Sequence, residues 1–353
     1  MARRILTIVL IVIIIALVAV MLWGMGIWSP TPELARENTW LGINNWGISC
    51  NGAVFGTGPL PNDAEQGLEV EKPVAEINGV LLSFAHERIE VVETDSNMVR
   101  IEQTSDQQLS GDYIMRYGML DGRLVAQSGT YGHMNAGVSP GSKITLYVPK
   151  GSNLSLNIDT ASGRVAVNGG AYGNMEIDTA SGEVSVESVT AKNVKIDTAS
   201  GGVMVDKTDC SSIYVSVASG NINVSANATG IVELDSASGE VTFKGTAEAF
   251  EADTASGSVN AEIGGLRTAA VDSASGSVRI ACTDADTLRE IDVDTASGEV
   301  TIELPENDGF EVDYDTASGG LRNEFEMVGD LHKNGGIDIS VDTVSGGLNI
   351  LKK

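Results

Sequence analysis

One phrase recurs through most of this chain and limits what it can fold into. IDTASGRVAV (158–167) returns as IDTASGEVSV (177–186) and again as VDTASGEVTI (293–302). Aligned on its glycine, the phrase stands at Gly163, Gly182, Gly201, Gly220, Gly239, Gly257, Gly276, Gly298, Gly319 and Gly346. The intervals are 19, 19, 19, 19, 18, 19, 22, 21 and 27 residues. Copies at so steady a period mark a repeat architecture whose units stack on one another.

The unit MEIDTASGEVSVESVTAKN (175–193) shows what is stacked. Met175 and Ile177 alternate with Glu176 and Asp178; after the glycine, Val184 and Val186 alternate with Glu183, Ser185 and Glu187. Alternation with a period of two on both sides of a glycine break predicts two short strands, each with one buried face. One coil cannot cover that face, whereas parallel stacking of coils buries it. The expected fold is all-β, a flattened parallel β-solenoid of about ten coils of ~19 residues. Helical repeats would need long 3.6-periodic runs, and the calcium-binding nonapeptide signature is absent.

Ahead of the repeats, residues 76–150 also read as β-structure, with alternating runs in ERIEVVETDSNMVRIEQT and a hairpin turning at Asp121-Gly122. This segment is expected to cap the solenoid, whose repeats fill 151–353. The last coil ends in Lys352 and Lys353, charges suited to an exposed sheet edge.

The acid of the phrase forms a column: Asp159, Asp178, Asp197, Asp235, Asp253, Asp272, Asp294, Asp315 and Asp342, broken in the fourth coil by Ser216. A stacked row of carboxylates could serve a calcium ion as a cation ladder. The plainer expectation is an Asx-type turn, each carboxylate accepting backbone N–H groups of its own corner. Charges ~4.8 Å apart in water repel by about 0.9 kcal/mol, and one hydrogen bond to a charged group contributes about 1.5–3 kcal/mol, so a turn bond offsets the repulsion without an ion. Ser216 fits the turn better than the ladder. The threonines (Thr160, Thr179, Thr198) fall on the inward side, able to bond along the stack or to the corner.

Acids outnumber bases 48 to 22, a net charge of −26, which repels nucleic acid and anionic headgroups. Cys50, Cys210 and Cys282 and three scattered histidines (His86, His133, His332) form neither a disulfide framework nor a metal cluster, and no cofactor is expected. All four tryptophans lie within the first 46 residues.

The N-terminus opens with Arg3 and Arg4, then runs uncharged from Ile5 to Trp28. Those 24 residues would rise ~36 Å as a helix, enough to cross a ~30 Å hydrocarbon core. The arginines place residues 1–4 in the cytoplasm and the bulk of the chain outside it. An uncleaved signal anchor over 5–28 is expected, with cleavage as the alternative. Residues 29–75, rich in Pro, Gly and Asn, read as an extracytoplasmic linker in which Trp40 and Trp46 have no assigned role.

No catalytic residue is indicated. GVSPG (137–141) matches the G-x-S-x-G nucleophile pattern, but Pro140 and the adjoining strand KITLYVP contradict the strand–turn–helix context it needs. Ten repeated serines with no repeated base make no nucleophile. A β-helical polysaccharide-cleaving enzyme is the rival class; its carboxylates would sit where the repeat is irregular, at 283–290, 304–310 or 323–336. The last of these is the most promising local loop.

The strand KITLYVPKGSNLSLNIDTASGRVAV (143–167) followed by many D-[TS]-A-S-G-x-V units resembles the bacterial putative-adhesin family of β-strand repeat proteins. The resemblance covers roughly residues 80–350. It implies a surface binder or scaffold, often membrane-anchored and sometimes encoded beside envelope-stress regulators in Gram-positive bacteria, with no established activity and no catalytic residues. The expected function is a non-enzymatic adhesin, scaffold or envelope-stress-associated binding protein whose partner is a protein or a cell-wall glycan. The outward column after the corner (Ala166, Ser185, Met204, Asn223, Thr242, Asn260, Arg279, Thr301) is too varied for an ice-binding array.

Overall fold

The computed structural model describes residues 41–44, 47–50, 53–55, 60–109, 111–128, 141–333 and 335–353. The expected anchor (5–28), His133 and residues 137–140 of GVSPG lie outside them. Among the described residues no helix is long and apolar enough to cross a membrane, a statement that leaves strand-based spans aside. Apart from two three-residue 3-10 turns, every regular element described is a strand. Within the expected linker, Leu41–Asn44, Gly47–Cys50 and Ala53–Phe55 form a small antiparallel sheet. The chain divides into two compact units, one ending at Asp209 and one running from Cys210 to Lys353.

In the unit ending at Asp209, each coil gives one strand to each of two parallel sheets. The first sheet runs Arg123–Gln127, Gly79–Phe84, Leu154–Thr160, Ala171–Ser181, Thr190–Ser200. The second runs Lys143–Pro149, Arg88–Thr94, Val165–Asn168, Val184–Glu187 and then residues 203–206. Alternation decides which side chains are buried: Ile158, Ile177 and Ile196 in one sheet and Val165, Val184 and Val203 in the other are at most 1% exposed. Each contributes about 1.5–3 kcal/mol by leaving water.

The order of stacking is not the order of the chain. The coil 79–94, in the segment expected to be a cap, lies inside the stack, between the later strands 123–149 and the first repeat coil. Antiparallel strands cover the outer side: Arg116–Leu120 on Arg123–Gln127 and Met98–Thr104 on Lys143–Pro149. The hairpin turns at Asp121 (φ 50°) and Gly122 (φ 77°), the pair of positive φ values that a tight two-residue hairpin requires.

The unit from Cys210 onward repeats the two-sheet plan. Its first sheet runs from residues 213–217 through Ile231–Ser238, Ala249–Ser256, Thr268–Ser275 and Glu290–Ser297 to Asp338–Ser345, with Gly309–Ser318 as the last parallel strand. Its second runs Ile222–Ala228, Val241–Thr246, Val259–Gly264, Val278–Cys282, Val300–Leu304, Leu348–Lys352, with Leu321–Asn323 outermost. The last coil therefore sits inside the coil that precedes it, and Lys352 and Lys353 are not the edge charges the sequence led us to expect. Leu348–Lys352 offers five residues, with Leu348 and Ile350 fully buried, to pair with Val300–Leu304, whereas Leu321–Asn323 offers three. The better apolar match takes the inner place. Lys352 instead lies 5.0 Å over the Phe325 ring, and Lys353 reaches Glu262 at 3.4 Å.

Candidate functional site

The corner of the repeated phrase is a device for close stacking. A Cβ on Gly257 would lie 1.9 Å from the carbonyl oxygen of Gly239 one coil away, and its φ of +156° is one that side chains avoid. The glycine N–H donates to the next coil, as Gly257 does to the Ser275 carbonyl and Gly276 to that of Ser297, both at 3.1 Å. The side chain that holds the corner is the inward hydroxyl: Gly163 N–H donates to Thr160 Oγ1 at 3.0 Å, and Ser318 N–H to Thr316 Oγ1 at 3.2 Å. Deeper in the stack, the Oγ1 atoms of Thr179, Thr254 and Thr295 are buried without a hydrogen-bond partner.

The corner N–H groups go to the inward threonine hydroxyl and to the next coil, and not to the carboxylates of Asp159, Asp178 and Asp294 as the expected Asx turn would have it. Members of the Asp column lie inside the strands, facing outward in register: Asp159, Asp178 and Asp197 in the first unit, and Ser216, Asp235, Asp253, Asp272, Asp294, Asp342 and Asp315, in that spatial order, in the second. A carboxylate holding backbone N–H groups would have a lowered pKa. Here burial, then Glu176, pushes Asp159 up to about 7; burial, then Asp197, Asp159 and Glu176, pushes Asp178 up to about 8. Asp294 is raised to about 7 by burial and by Asp292, Asp272 and Asp342. Asp197 has a cation beside it, with Lys195 Nζ 2.9 Å away. Among the described residues no group of three or more His, Cys, Asp or Glu converges as a metal centre. A flat row presents its oxygens from one side, and near neutral pH Asp159, Asp178 and Asp294 hold a proton for part of the time.

The irregular loops singled out in the sequence make local structure. Asp284 accepts the Gly265 N–H, with Oδ2 at 3.0 Å, and Asn307 Oδ1 accepts that of Gly309 at 2.9 Å. In the 323–336 segment, Leu331–Lys333 pairs antiparallel with Gly309–Glu311, and the Phe325 and His332 rings pack on Phe310 with centroids 5.1 and 5.0 Å away. His332 Nδ1 donates to the Glu326 carbonyl at 2.7 Å, so this insertion is a folded plug. His86 pairs with Ser162 at 2.6 Å. Cys210 and Cys282 are both buried, and the Cys282 thiol is pushed up to about 12 by burial first and Asp284 second. In the outward column, Arg279 forks onto Glu303 at 2.8 and 2.7 Å.

One place on the outward face of the first unit departs from the repeat in three ways at once. Gly79, aligned between Arg123 and Ser155 on the neighbouring strands, contributes no side chain. Opposite Ser155 the next strand carries two residues, Gly173 and Asn174, a β-bulge between the Leu154–Tyr172 and Leu156–Met175 pairs. Arg123 comes from the out-of-sequence outer strand. The result is a cleft of about 450 Å³ with Asp121 and Arg123 on one side, Ser155 at its base, and Asn157, Asn174 and Glu176 on the other.

Its side chains are held in set orientations. Asn157 Nδ2 donates to Glu176 Oε2 at 2.9 Å, and Lys195 Nζ donates to Glu176 Oε1 at 3.2 Å. Asn193 Nδ2 donates to Asn174 Oδ1 at 2.9 Å. Asn157 is left with its carbonyl oxygen to offer, and Asn174 with its N–H₂. Sequence reasoning missed this site because the residues come from segments far apart in the chain; Gly79, the glycine that opens the strand GVLLSF, was the available signal.

The fold resembles several solved structures at low identity. A "putative lipid binding protein" from Parabacteroides distasonis is 17% identical, aligned over 82% of this chain and 97% of its own, with a TM-score of 0.43. A "putative adhesin" from the same organism is 15% identical over 82% and 98%, TM-score 0.45, and one from Bacteroides fragilis 13% over 82% and 98%, TM-score 0.37. No curated protein matches the chain. Residues 77–288, more than half of the chain, match the repeat pattern of one family, and the protein belongs to that family, Toastrack DUF4097.

Proposed function

We propose that this protein is a non-enzymatic binding protein of the cell envelope, an adhesin or scaffold tethered to the membrane by residues 5–28, with residues 1–4 in the cytoplasm and the two solenoid units outside. The observation that most supports a binding role is the outward face itself. Its side chains stand in register columns one strand apart, as Asp253, Asp272 and Asp294 do in the second unit, and give an extended ligand a regular polar surface. Where the repeat breaks, a polar cleft opens in that face. The hydrophobic N-terminal run and its two arginines support the tether and its orientation. Membership of a family without an assigned activity is compatible with this reading.

The test uses the full chain in membranes. External protease should remove the solenoid units from intact cells, and detergent-solubilised protein should be retained on cell-wall polymer without releasing soluble fragments. Protection from protease would overturn the orientation, and release of oligosaccharides would replace the binder with a glycan-cleaving enzyme.

A further inference from the structure

We infer that the cleft between Arg123 and Asn174 is a saccharide-binding subsite that recognises sugar hydroxyl groups; this deepens the proposed binding role and rests on it. The chemistry of the lining chooses the ligand class. Small-molecule sites of ~300–1,000 Å³ are usually walled by apolar and aromatic side chains. This one is walled mainly by amides, a guanidinium, a hydroxyl and carboxylates, with Leu156 as the one aliphatic residue in its lining, which gives an acyl chain or an aromatic ring little to pack on.

A sugar hydroxyl is a donor and an acceptor at once, so it needs one group of each kind side by side. The two asparagines are polarised for that. With its amide N–H₂ committed to Glu176, Asn157 turns its carbonyl to the cleft as an acceptor. With its carbonyl committed to Asn193, Asn174 turns its N–H₂ there as a donor. Arg123 adds a planar fork of N–H donors matched to a pair of adjacent oxygens. Its guanidinium, like those of Arg88, Arg116 and Arg289, makes no ion pair among the described residues, and it is the one arginine that lines the cleft.

Room for a ring comes from the same departures from the repeat. A Cβ at position 79 would sit 2.8 Å from the Ser155 carbonyl oxygen and 3.5 Å from Arg123 Cγ, so a side chain there would crowd two of the residues that line the cleft. The bulge at Gly173-Asn174 turns Asn174 toward the cleft rather than along the column.

The experiment is calorimetric titration of the full-length, detergent-solubilised chain with three probes: the tetramers of N-acetylglucosamine, of glucose and of galacturonic acid. Binding of at least one is expected. Arg123→Ala should weaken it by about tenfold, the scale of one lost charge-assisted hydrogen bond. Asn174→Trp, at an exposed position, should fill the cleft and abolish binding, with an unchanged melting temperature showing that the variant is folded. Asn260→Ala, on the outward face of the other unit, should bind as the parent does. No binding of any tetramer, or equal binding by all three variants, would overturn the subsite. If Arg123→Ala and Asn174→Trp are also retained on cell-wall polymer like the parent, the cleft assignment alone fails; if the parent itself is not retained, the envelope-binding role fails with it.

Discussion

Leu321 and Leu348 occupy the same register position on neighbouring strands, yet Leu348 is fully buried and Leu321 is 49% exposed. Both are core residues by pattern. The difference is that Leu348 has a coil on each side, pairing with Val300 as well, and Leu321 has one. Leu348→Ala should therefore cost about 2–5 kcal/mol and Leu321→Ala less than about 1 kcal/mol. Denaturant midpoints for the two variants check this; equal losses would mean that something covers Leu321 in solution.

The outward carboxyls make stability depend on pH in an unusual direction. Unfolded, they titrate near the ordinary value of about 4. Folded, Asp159 and Asp294 titrate at about 7 and Asp178 at about 8. Between those limits the folded chain binds more protons than the unfolded one, so stability falls as pH rises. The stabilisation is fully present below the unfolded value and is lost on passing through the folded ones. The melting temperature should be higher at about pH 5 than at about pH 8, and Asp178→Asn should raise it at the higher pH by the equivalent of about 1 kcal/mol. A melting temperature that climbs with pH would contradict the burial of this column.

Two glycines with positive φ separate corner packing from turn geometry. At Gly257 a Cβ meets a backbone oxygen at 1.9 Å; at Gly265, φ +66°, it meets nothing within 4 Å. Gly257→Ala should cost more than about 3 kcal/mol, whereas Gly265→Asn should stay within about 1 kcal/mol, since asparagine tolerates the left-handed region. Chemical unfolding distinguishes them, and a mild Gly257→Ala would show that neighbouring coils can part at the corner.

The inner hydroxyl column carries a natural control. Val217 stands in register with Ser236, so an apolar side chain is already accepted there, 1% exposed. Thr295 Oγ1 is buried without a hydrogen-bond partner. Thr295→Val should therefore stabilise the protein by about 1 kcal/mol, read from its denaturant midpoint. A loss of similar size would assign the hydroxyl a bridging water.

The repeated part of the fold was legible in the sequence. The alternation around Ile177, Val184 and Val186 specified two strands per coil, and the spacing of the phrase specified which aspartates align. The corner chemistry was misassigned for a physical reason. Asp and Thr are adjacent, so they face opposite sides of the strand, and only the inward Thr160 lies beneath the Gly163 amide. Stacking order could not be read from period alone, because it depends on which coil offers the longer apolar strand to a given edge. The cleft was least legible: Gly79, Arg123 and Asn174 are brought together by register between strands that are remote in the chain.

Because the strands of 338–352 close against 290–304, the outer face of that pair stays open during synthesis until nearly fifty residues more have emerged. The coil at 309–323 cannot take its place earlier, since the strands it pairs with do not yet exist. Assembly of this end is therefore not vectorial. A product truncated before residue 338 presents two bare parallel edges lined with Val293 and Val300, a form that quality-control machinery and aggregation would both recognise.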